Sequence, residues 1–115
     1  MEKNFENNLL LDFYGNMLTE KQREVMNLYF NLDSSLSEIA GELNTTRQAV
    51  YDSVKVSKTM LENYEEKLGC VKKYLSNREV LLNTIRELDA LKKDCENAEK
   101  VQNIINNLQK VLHNQ

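Results

Sequence analysis

The chain of 115 residues contains no proline and only three glycines. Proline stops helices because its ring clashes with the preceding turn and its nitrogen carries no hydrogen, and glycine is the usual residue at sharp turns. A chain that is so poor in both residues has few positions at which a helix would end or a sheet would turn. We therefore predict an all-α protein.

Composition and cysteine spacing limit the class of protein. Hydrophobic residues make up 41% of the chain and charged residues 29%, which suits one soluble domain, or one small domain with an appended element. No apolar run approaches the roughly 18 residues that a membrane-spanning helix needs, and the acidic N-terminus does not resemble a secretion signal. Cys70 and Cys95 match no zinc or redox spacing. We expect a cytosolic protein whose thiols are buried and reduced.

Two amphipathic helices are predicted before a break at residues 31–34. Thr19 and Gln22 are spaced as a capping box, in which each side chain bonds the other residue's backbone N–H, and they open the second helix. On the first helix, over about residues 4–18, the apolar stripe contains Phe5, Leu9, Phe13 and Met17, with Leu10 and Tyr14 beside it. The buried candidates of the second helix are Val25, Met26, Leu28, Tyr29 and Leu32. The aromatic residues interpreted as core, rather than as stacking surfaces, are Phe5, Phe13, Tyr14, Tyr29 and Phe30.

Residues 35–68 have the pattern of a helix-turn-helix, a short helix joined by a tight turn to a longer one that ends at Gly69. Ala40 is small enough to let the two helices approach closely, and Val50 is predicted to fill the crossing. Asn44 stands where a left-handed backbone is needed, which asparagine tolerates better than most residues. The residues predicted to face inward are Leu36, Ile39, Ala40 and Leu43 on the short helix and Ala49, Val50, Val54, Ser57, Leu61, Tyr64 and Leu68 on the longer one.

Polar residues at both helix starts support this assignment. Ser35 and Glu38 are spaced as a second capping box at the start of the short helix. Thr45 or Thr46 is predicted to cap the longer helix, and Thr45 with Gln48 is spaced as a third box. Side-chain oxygens at these positions would satisfy backbone N–H groups that have no partner in the first turn of a helix.

The longer helix is the candidate reading helix, because its outer face would enter the major groove of DNA. Arg47 is suited to a guanine edge and Gln48 to adenine, whereas Tyr51 and Lys55 are suited to phosphates. Asp52 would be unfavourable near phosphate and would fit only an exposed cytosine amino group. A solvated helix face is an equally good interpretation of this pattern. The candidate nucleic-acid-binding residues are Thr46, Arg47, Gln48, Tyr51, Asp52, Lys55 and Lys58.

Charge is distributed unevenly along the chain, whose net charge is −3. Residues 1–44 carry −5, residues 45–75 carry +2 and residues 76–115 are neutral. The only positive third therefore contains the candidate reading helix, where attraction to phosphate would be needed. The excess is small, and the lysines of this third alternate with glutamates, as on an ordinary solvated helix.

The last third of the chain is predicted to be helical and self-associating. Its apolar residues step by threes and fours, and a single helix over residues 79–112 would be about 51 Å long, too long for its own domain to cover. The interrupted heptad favours a break near residues 94–97, and Ser76 and Glu79 are spaced to cap a further helix. We predict a homodimer through this region, with a helix-turn-helix module at residues 1–68 and a helical extension at residues 70–115.

Two segments resemble known families. "LTEKQREVMNLYF" and "SLSEIAGELNTTRQAVYDSVK" resemble region 4 of sigma-70-type factors, over Leu18 to about Leu61. The longer run from "NLLLDFYGN" to "LENYEEKLG" is similar to the YlxM family, small bacterial proteins linked with the signal recognition particle. The sequence departs from sigma factors after the reading helix, where Val54-Lys-Val-Ser-Lys58 replaces their more basic continuation, so sigma-type promoter recognition is not expected.

The resemblance implies a non-enzymatic protein with an accessory role in the signal-recognition-particle pathway. We find no phosphate-binding loop, Ser-His-Asp set or metal-ligand spacing, and therefore predict no catalysis, no cofactor and no metal. The first hypothesis is a regulator that binds DNA or structured RNA. The second is a protein-interaction adaptor for signal-recognition-particle components, which keeps the fold and does not read DNA.

Overall fold

The computed structural model describes residues 2–93 and 96–113 and is all-α, with no strand in these residues. A 3-10 turn, Gly15–Met17, follows the first helix, and a π-helical segment, Asn27–Asn31, continues the second. The prediction of an all-α protein is confirmed. The helices are α1 (Glu2–Tyr14), α2 (Glu20–Met26), α3 (Leu36–Glu42), α4 (Arg47–Leu68), α5 (Cys70–Lys92) and α6 (Ala98–His113).

The chain forms two compact units, Met1–Val71 and Lys72–Gln115, and the division falls within α5. In the first unit, α4 packs against α1, α2 and α3 and therefore forms the centre of the core. Each large apolar side chain buried there contributes about 1.5–3 kcal/mol to folding. The division into an independent module at residues 1–68 and an extension at residues 70–115 stays a prediction.

The predicted apolar stripe of α1 is wrong at three of its four residues. Phe5, Phe13 and Met17 are exposed, with 56%, 41% and 52% of their surface accessible, whereas Leu9 is buried as predicted. The buried face also contains Leu10 and Tyr14, which were predicted beside the stripe, and it extends through Asn7, which is 7% exposed, Leu11 and Leu18. The rest of the buried face was not predicted because it contains the polar residue Asn7, whereas the stripe through Phe5 and Phe13 is apolar at every position. The same finding corrects the interpretation of Phe5 and Phe13 as core.

The end of the second helix also differs from the prediction. The backbone N–H of Leu32 donates to the carbonyl of Asn27 at 3.1 Å, which is the wider ring of a π-helix. The extra residue in this turn shifts the face that the following side chains present. Phe30 is therefore buried and Leu32 is 64% exposed, so the assignment of Leu32 to the core is wrong. Leu28 and Tyr29 are half-buried, and Val25 and Met26 are buried as predicted.

Two of the three predicted capping boxes are present. The Gln22 N–H donates to Thr19 Oγ1 at 3.1 Å, and the Thr19 N–H donates to Gln22 Oε1 at 3.0 Å. The box at Ser35 has the same form, and the Ser35 backbone N–H holds the pKa of the Glu38 carboxyl below its usual range. The predicted box between Thr45 and Gln48 is absent, because α4 begins one residue later than that box requires.

Other predictions for the long helices are corrected in detail. Ala49 and Leu68 were assigned to the inward face of α4 and are exposed. Gly69 ends α4 with a left-handed φ of 64°, as expected of a C-terminal glycine, and α5 begins at the next residue. Ser76 caps no helix, because α5 continues through it. Cys70 forms no disulfide and is half-buried rather than fully buried.

The second unit contains the remainder of α5 and α6. The predicted break is confirmed, because α5 ends at Lys92 and α6 begins at Ala98; Asp94 and Cys95 lie outside the described residues. The buried residues of α6 are Ile105 and Leu112. The large apolar residues that this unit exposes are Leu75, Val80, Leu91, Ile104 and Val111. In the described part of the chain, no helix has the length and apolar character needed to cross a membrane.

Candidate nucleic-acid interface

α3, the turn at residues 43–46 and the first half of α4 form the predicted helix-turn-helix. α3 packs against α4, and both Ala40 and Val50 are buried, at 7% and 1% exposure. Asn44 has a left-handed φ of 55°, and the next amide, of Thr45, donates to the Ala40 carbonyl at 3.0 Å. This is the closing hydrogen bond of a Schellman turn, here with asparagine at the position that glycine usually occupies. The turn therefore gives the two helices a defined crossing.

Thr46 is the residue before the first turn of α4 and caps it. Its Oγ1 accepts the backbone N–H of Ala49 at 3.0 Å, which satisfies one of the unpaired amides at the helix start. The hydroxyl hydrogen of Thr46 is not used in this contact, so the exposed side chain keeps one donor. The start of α4 is thus set by a local hydrogen bond, and Thr46 was one of the two predicted capping residues.

The outer face of α4 presents most of the predicted binding residues to solvent. Val50 and Val54 are buried against the rest of the first unit, so the side chains on the other side of the helix point away from it. Tyr51 is 47% exposed, which is a large accessible fraction for an aromatic residue. The exposed candidates on this face are Arg47, Gln48, Tyr51, Asp52 and Lys55. Their contacts with nucleic acid stay a prediction.

Two of these side chains bond to each other. Gln48 Nε2 donates to Asp52 Oδ1 at 3.0 Å, across one turn of α4. This partner of Asp52 was not predicted, although the spacing of four residues between Gln48 and Asp52 is a signal for such a pair. Asp52 is therefore an acceptor for Gln48 and is not an isolated carboxylate on the face.

Lys58 is placed differently from the other candidates. It is half-buried and lines a cavity of about 380 Å³ between α1, the π-helical segment and α4. Asn7, Tyr29 and Asp33 are among the other residues that line this cavity. Lys58 therefore lies at the edge of the outer face of α4, next to α1 and the π-helical segment.

Arg47, Lys55 and Lys58 form no salt bridge with any residue that the structure describes, whereas Lys92 and Asp89 pair within α5. With Asp52 as the carboxylate among these candidates, the surface carries a local charge of about +2. Exposed guanidinium and ammonium groups without a carboxylate partner are suited to contact with a phosphate backbone.

Comparison with known proteins agrees with this architecture. The chain matches over residues 1–104 the model of the UPF0122 family, described as "Putative helix-turn-helix protein, YlxM / p13 like". It is 45% identical to a UPF0122 protein of Bacillus pumilus over 111 residues, which cover 96% of this chain and 97% of the relative.

The chain belongs to the UPF0122 family. Over 96 residues it is 46% identical to the UPF0122 protein YlxM of Bacillus subtilis, covering 84% of this chain and 86% of that protein. Over 109 residues it is 42% identical to a UPF0122 protein of Clostridium kluyveri, covering 93% and 98%.

The predicted similarity to the YlxM family is confirmed by these relatives. The sequence motifs carried the similarity mainly in the first two-thirds of the chain, and the UPF0122 match extends it through α5 and into α6. The residues matched by the family model therefore include the helix-turn-helix, all of α5 and the start of α6. It identifies the chain as a helix-turn-helix protein.

Proposed function

We propose that this protein binds nucleic acid through the outer face of α4 and acts as a non-enzymatic regulatory protein. The observation that carries the proposal is the exposed set of Arg47, Tyr51 and Lys55 on a helix whose opposite face is buried at Val50 and Val54. Neither Arg47 nor Lys55 forms a salt bridge within residues 2–93 and 96–113. A helix that is held in this way presents its first two turns to the groove of a duplex without any rearrangement of the fold.

The roles of the side chains follow from their chemistry. Arg47, in the first turn of α4, is suited to a bidentate contact with guanine or to a phosphate. Tyr51 and Lys55 lie one and two turns further along and are suited to the backbone, as is Lys58 from the side. Thr46 retains a hydroxyl donor at the helix start. Among the candidate residues, Gln48 and Asp52 are hydrogen-bonded to each other.

The small positive charge limits the affinity of one chain. Three phosphate contacts, from Arg47, Lys55 and Lys58, would give a salt dependence of about −3 in log K against log salt. A protein with a net charge of −3 gains little from long-range attraction to nucleic acid. Two copies acting together would double the number of phosphate contacts, which is the physical reason to expect a dimer.

We propose that the second unit provides this dimer contact. Ile104 and Val111 are seven residues apart on α6 and are both exposed, at 49% and 47%, so they form one apolar stripe on the outer side of that helix. Leu91, on α5, is 63% exposed. In a two-fold dimer the same surface of each copy forms the interface, so the apolar stripe of one α6 would pack against the identical stripe of the other.

The dimer is tested by sedimentation of the full chain at micromolar concentration. We expect a dimer that Ile104→Glu and Val111→Glu convert to a monomer, because each places a charge on the apolar stripe. Asn103→Glu, at an exposed polar position of the same helix, is the matched control and should remain dimeric. A monomeric unsubstituted chain would contradict the proposal.

An alternative function is a protein-interaction adaptor for signal-recognition-particle components. The negative net charge of the chain and the exposed apolar side chains of Leu32 and Val56 in the first unit favour it. An adaptor would use these apolar positions and would not need Arg47 or Lys55.

Binding measurements separate the two functions. Labelled duplex DNA and a labelled RNA hairpin are titrated with the full chain at several salt concentrations. Nucleic-acid binding predicts affinity that falls as salt rises and that drops about fivefold to 30-fold in Arg47→Ala or Lys55→Ala. Lys21→Ala, an exposed lysine on α2, is the matched control. No binding to either probe, together with capture of signal-recognition-particle protein from nuclease-treated lysate, would leave the adaptor.

A further inference from the structure

We infer that Asp52 positions the Gln48 amide so that α4 reads an adenine in the major groove. The inference rests on the proposed function and adds to it the base that one side chain selects. It starts from the hydrogen bond of 3.0 Å between Gln48 Nε2 and Asp52 Oδ1, which joins two exposed side chains on the reading face.

The hydrogen bond determines which end of the amide faces outward. An ionised carboxylate only accepts hydrogen bonds, so Asp52 attracts the NH₂ group of Gln48 and repels its carbonyl oxygen. The NH₂ group has two hydrogens, and Asp52 takes one of them. Gln48 therefore keeps one N–H donor and the Oε1 acceptor, and the amide cannot rotate by a half-turn without placing two oxygens against each other.

One donor next to one acceptor is the complement of adenine. In the major groove adenine presents N7 as an acceptor and N6 as a donor, and glutamine pairs with both. Guanine presents two acceptors, N7 and O6, so the fixed Oε1 of Gln48 would lie against O6. A glutamine that is free to rotate can adapt to either purine. The pair of Gln48 and Asp52 is thus a device for discriminating adenine from guanine.

This arrangement also explains a carboxylate on a surface that would approach phosphate. Asp52 lowers affinity for any nucleic acid, because it adds a negative charge to the face that carries Arg47 and Lys55. Its contact with Gln48 gives that charge a role in specificity instead. Asp52 Oδ2 takes no part in this contact, so the carboxylate can hold the Gln48 amide through Oδ1 and still accept from an exposed cytosine amino group.

The decisive variant is Asp52→Asn. Asparagine has nearly the same size, but its amide both donates and accepts, so it can bond to either end of the Gln48 amide. If Asp52 acts only through its charge, Asp52→Asn raises affinity for all sequences equally. If Asp52 positions Gln48, the variant also abolishes the preference for adenine over guanine. Glu62→Gln is the matched control, because it removes one exposed carboxylate from the same helix.

The experiment uses the full chain and a pool of duplexes with a randomised central segment. The selected duplex is then compared with versions in which each A·T pair is replaced by G·C, and the position that responds to Gln48→Ala is identified. We expect the unsubstituted chain and Glu62→Gln to prefer adenine there by about 5- to 100-fold. We expect Asp52→Asn to reduce the preference below about threefold and to bind the G·C duplex more tightly.

The outcomes distinguish the inference from the proposed function. If the unsubstituted chain selects no sequence and its binding to the pool does not depend on salt, both are wrong. If it selects a sequence but no position responds to Gln48→Ala, or Asp52→Asn keeps the preference for adenine, only the role of Asp52 is wrong. Loss of preference in Glu62→Gln as well would likewise assign the effect to charge and overturn the inference.

Discussion

The Tyr14 hydroxyl on α1 donates a hydrogen bond of 2.6 Å to Glu65 Oε1 on α4, across 51 positions of sequence. The same hydroxyl accepts the backbone N–H of Cys70 at 3.0 Å, and Glu65 Oε1 also accepts the N–H of Val71 at 2.9 Å. Cys70 and Val71 begin α5, where backbone amides lack helical partners. A side chain of α1 and one of α4 therefore cap the start of α5, directly after the left-handed residue Gly69.

Tyr14→Phe tests this cap. The substitution keeps the ring and leaves both Glu65 and the Cys70 amide without the hydroxyl, so we expect a loss of about 1–3 kcal/mol in the free energy of unfolding. Urea unfolding measures it. Tyr64→Phe is the control, because its ring centroid lies 6.0 Å from that of Tyr14 and, in the described residues, its hydroxyl makes no hydrogen bond. Equal losses in both variants would contradict the cap.

The same hydroxyl predicts a dependence of stability on alkaline pH. Burial, and then the hydrogen bond to Glu65, raise the pKa of Tyr14 far above its ordinary value of 10.0. The folded state therefore favours the neutral phenol, and its contribution is complete below about pH 10. It is lost progressively as the pH rises from there towards the higher folded pKa. We expect the free energy of unfolding to fall more steeply above about pH 10 in the unsubstituted chain than in Tyr14→Phe; parallel curves would refute this.

Ser57→Ala is expected to stabilise the protein. Ser57 is fully buried in α4, and its Oγ has no hydrogen-bond partner in the part of the chain that the structure describes. An unsatisfied buried hydroxyl is destabilising, so its removal should raise the free energy of unfolding by about 1 kcal/mol or more. Ser53→Ala, at a half-buried position on the same helix, is the control, because it has the same gain in helix propensity. It should raise the free energy of unfolding by only about 0.5 kcal/mol. A destabilised Ser57→Ala variant would show that Oγ makes a favourable contact.

Asn44→Ala tests the turn of the helix-turn-helix. Alanine at a φ of 55° is strained, and we expect a loss of about 1 kcal/mol in thermal or urea unfolding. Asn44→Gly removes the strain and should remain within about 0.5 kcal/mol of the unsubstituted chain, since glycine also increases the entropy of the unfolded state. Asn63→Ala, at an exposed helical position of α4, should not be destabilising. An unaffected Asn44→Ala variant would argue against the left-handed turn.

Ala40→Leu tests the crossing of α3 and α4. Ala40 is buried where these helices pack, so three added carbons force them apart and should lower stability by about 1–3 kcal/mol. The same variant should weaken nucleic-acid binding, because the crossing orients the reading face. Ala49→Leu, at an exposed position of α4, should leave stability nearly unchanged. Normal stability in Ala40→Leu would mean that the helices do not approach closely at this residue.

Much of the candidate interface could be predicted from the sequence because it depends on local rules. The boxes at Thr19 and Ser35, the cap at Thr46 and the left-handed Asn44 each involve residues within a few positions of one another. The exposure of Arg47, Gln48, Tyr51, Asp52 and Lys55 follows from helical periodicity once Val50 is placed in the core.

The contacts that were not predicted are those for which several residues in the sequence are equally suitable, so that only tertiary packing decides which of them forms the contact. Two apolar stripes compete on α1, and the one that packs contains Asn7, which a hydrophobic pattern disfavours. The π-helical turn before Leu32 has no reliable signal in the sequence, and it is the turn after which Leu32 is exposed. The bond between Gln48 and Asp52 was one of several possible pairings on an exposed helix.

The sequence by itself determined that the chain is helical, where its helix-turn-helix lies and which face of α4 is exposed. These properties arise from backbone chemistry and spacing within one or two helical turns. The tertiary structure alone decided which face of α1 is buried and that Tyr14 meets Glu65 and caps α5. Those contacts join residues far apart in the chain, so they exist only when several helices pack together and bury the polar groups that must find partners.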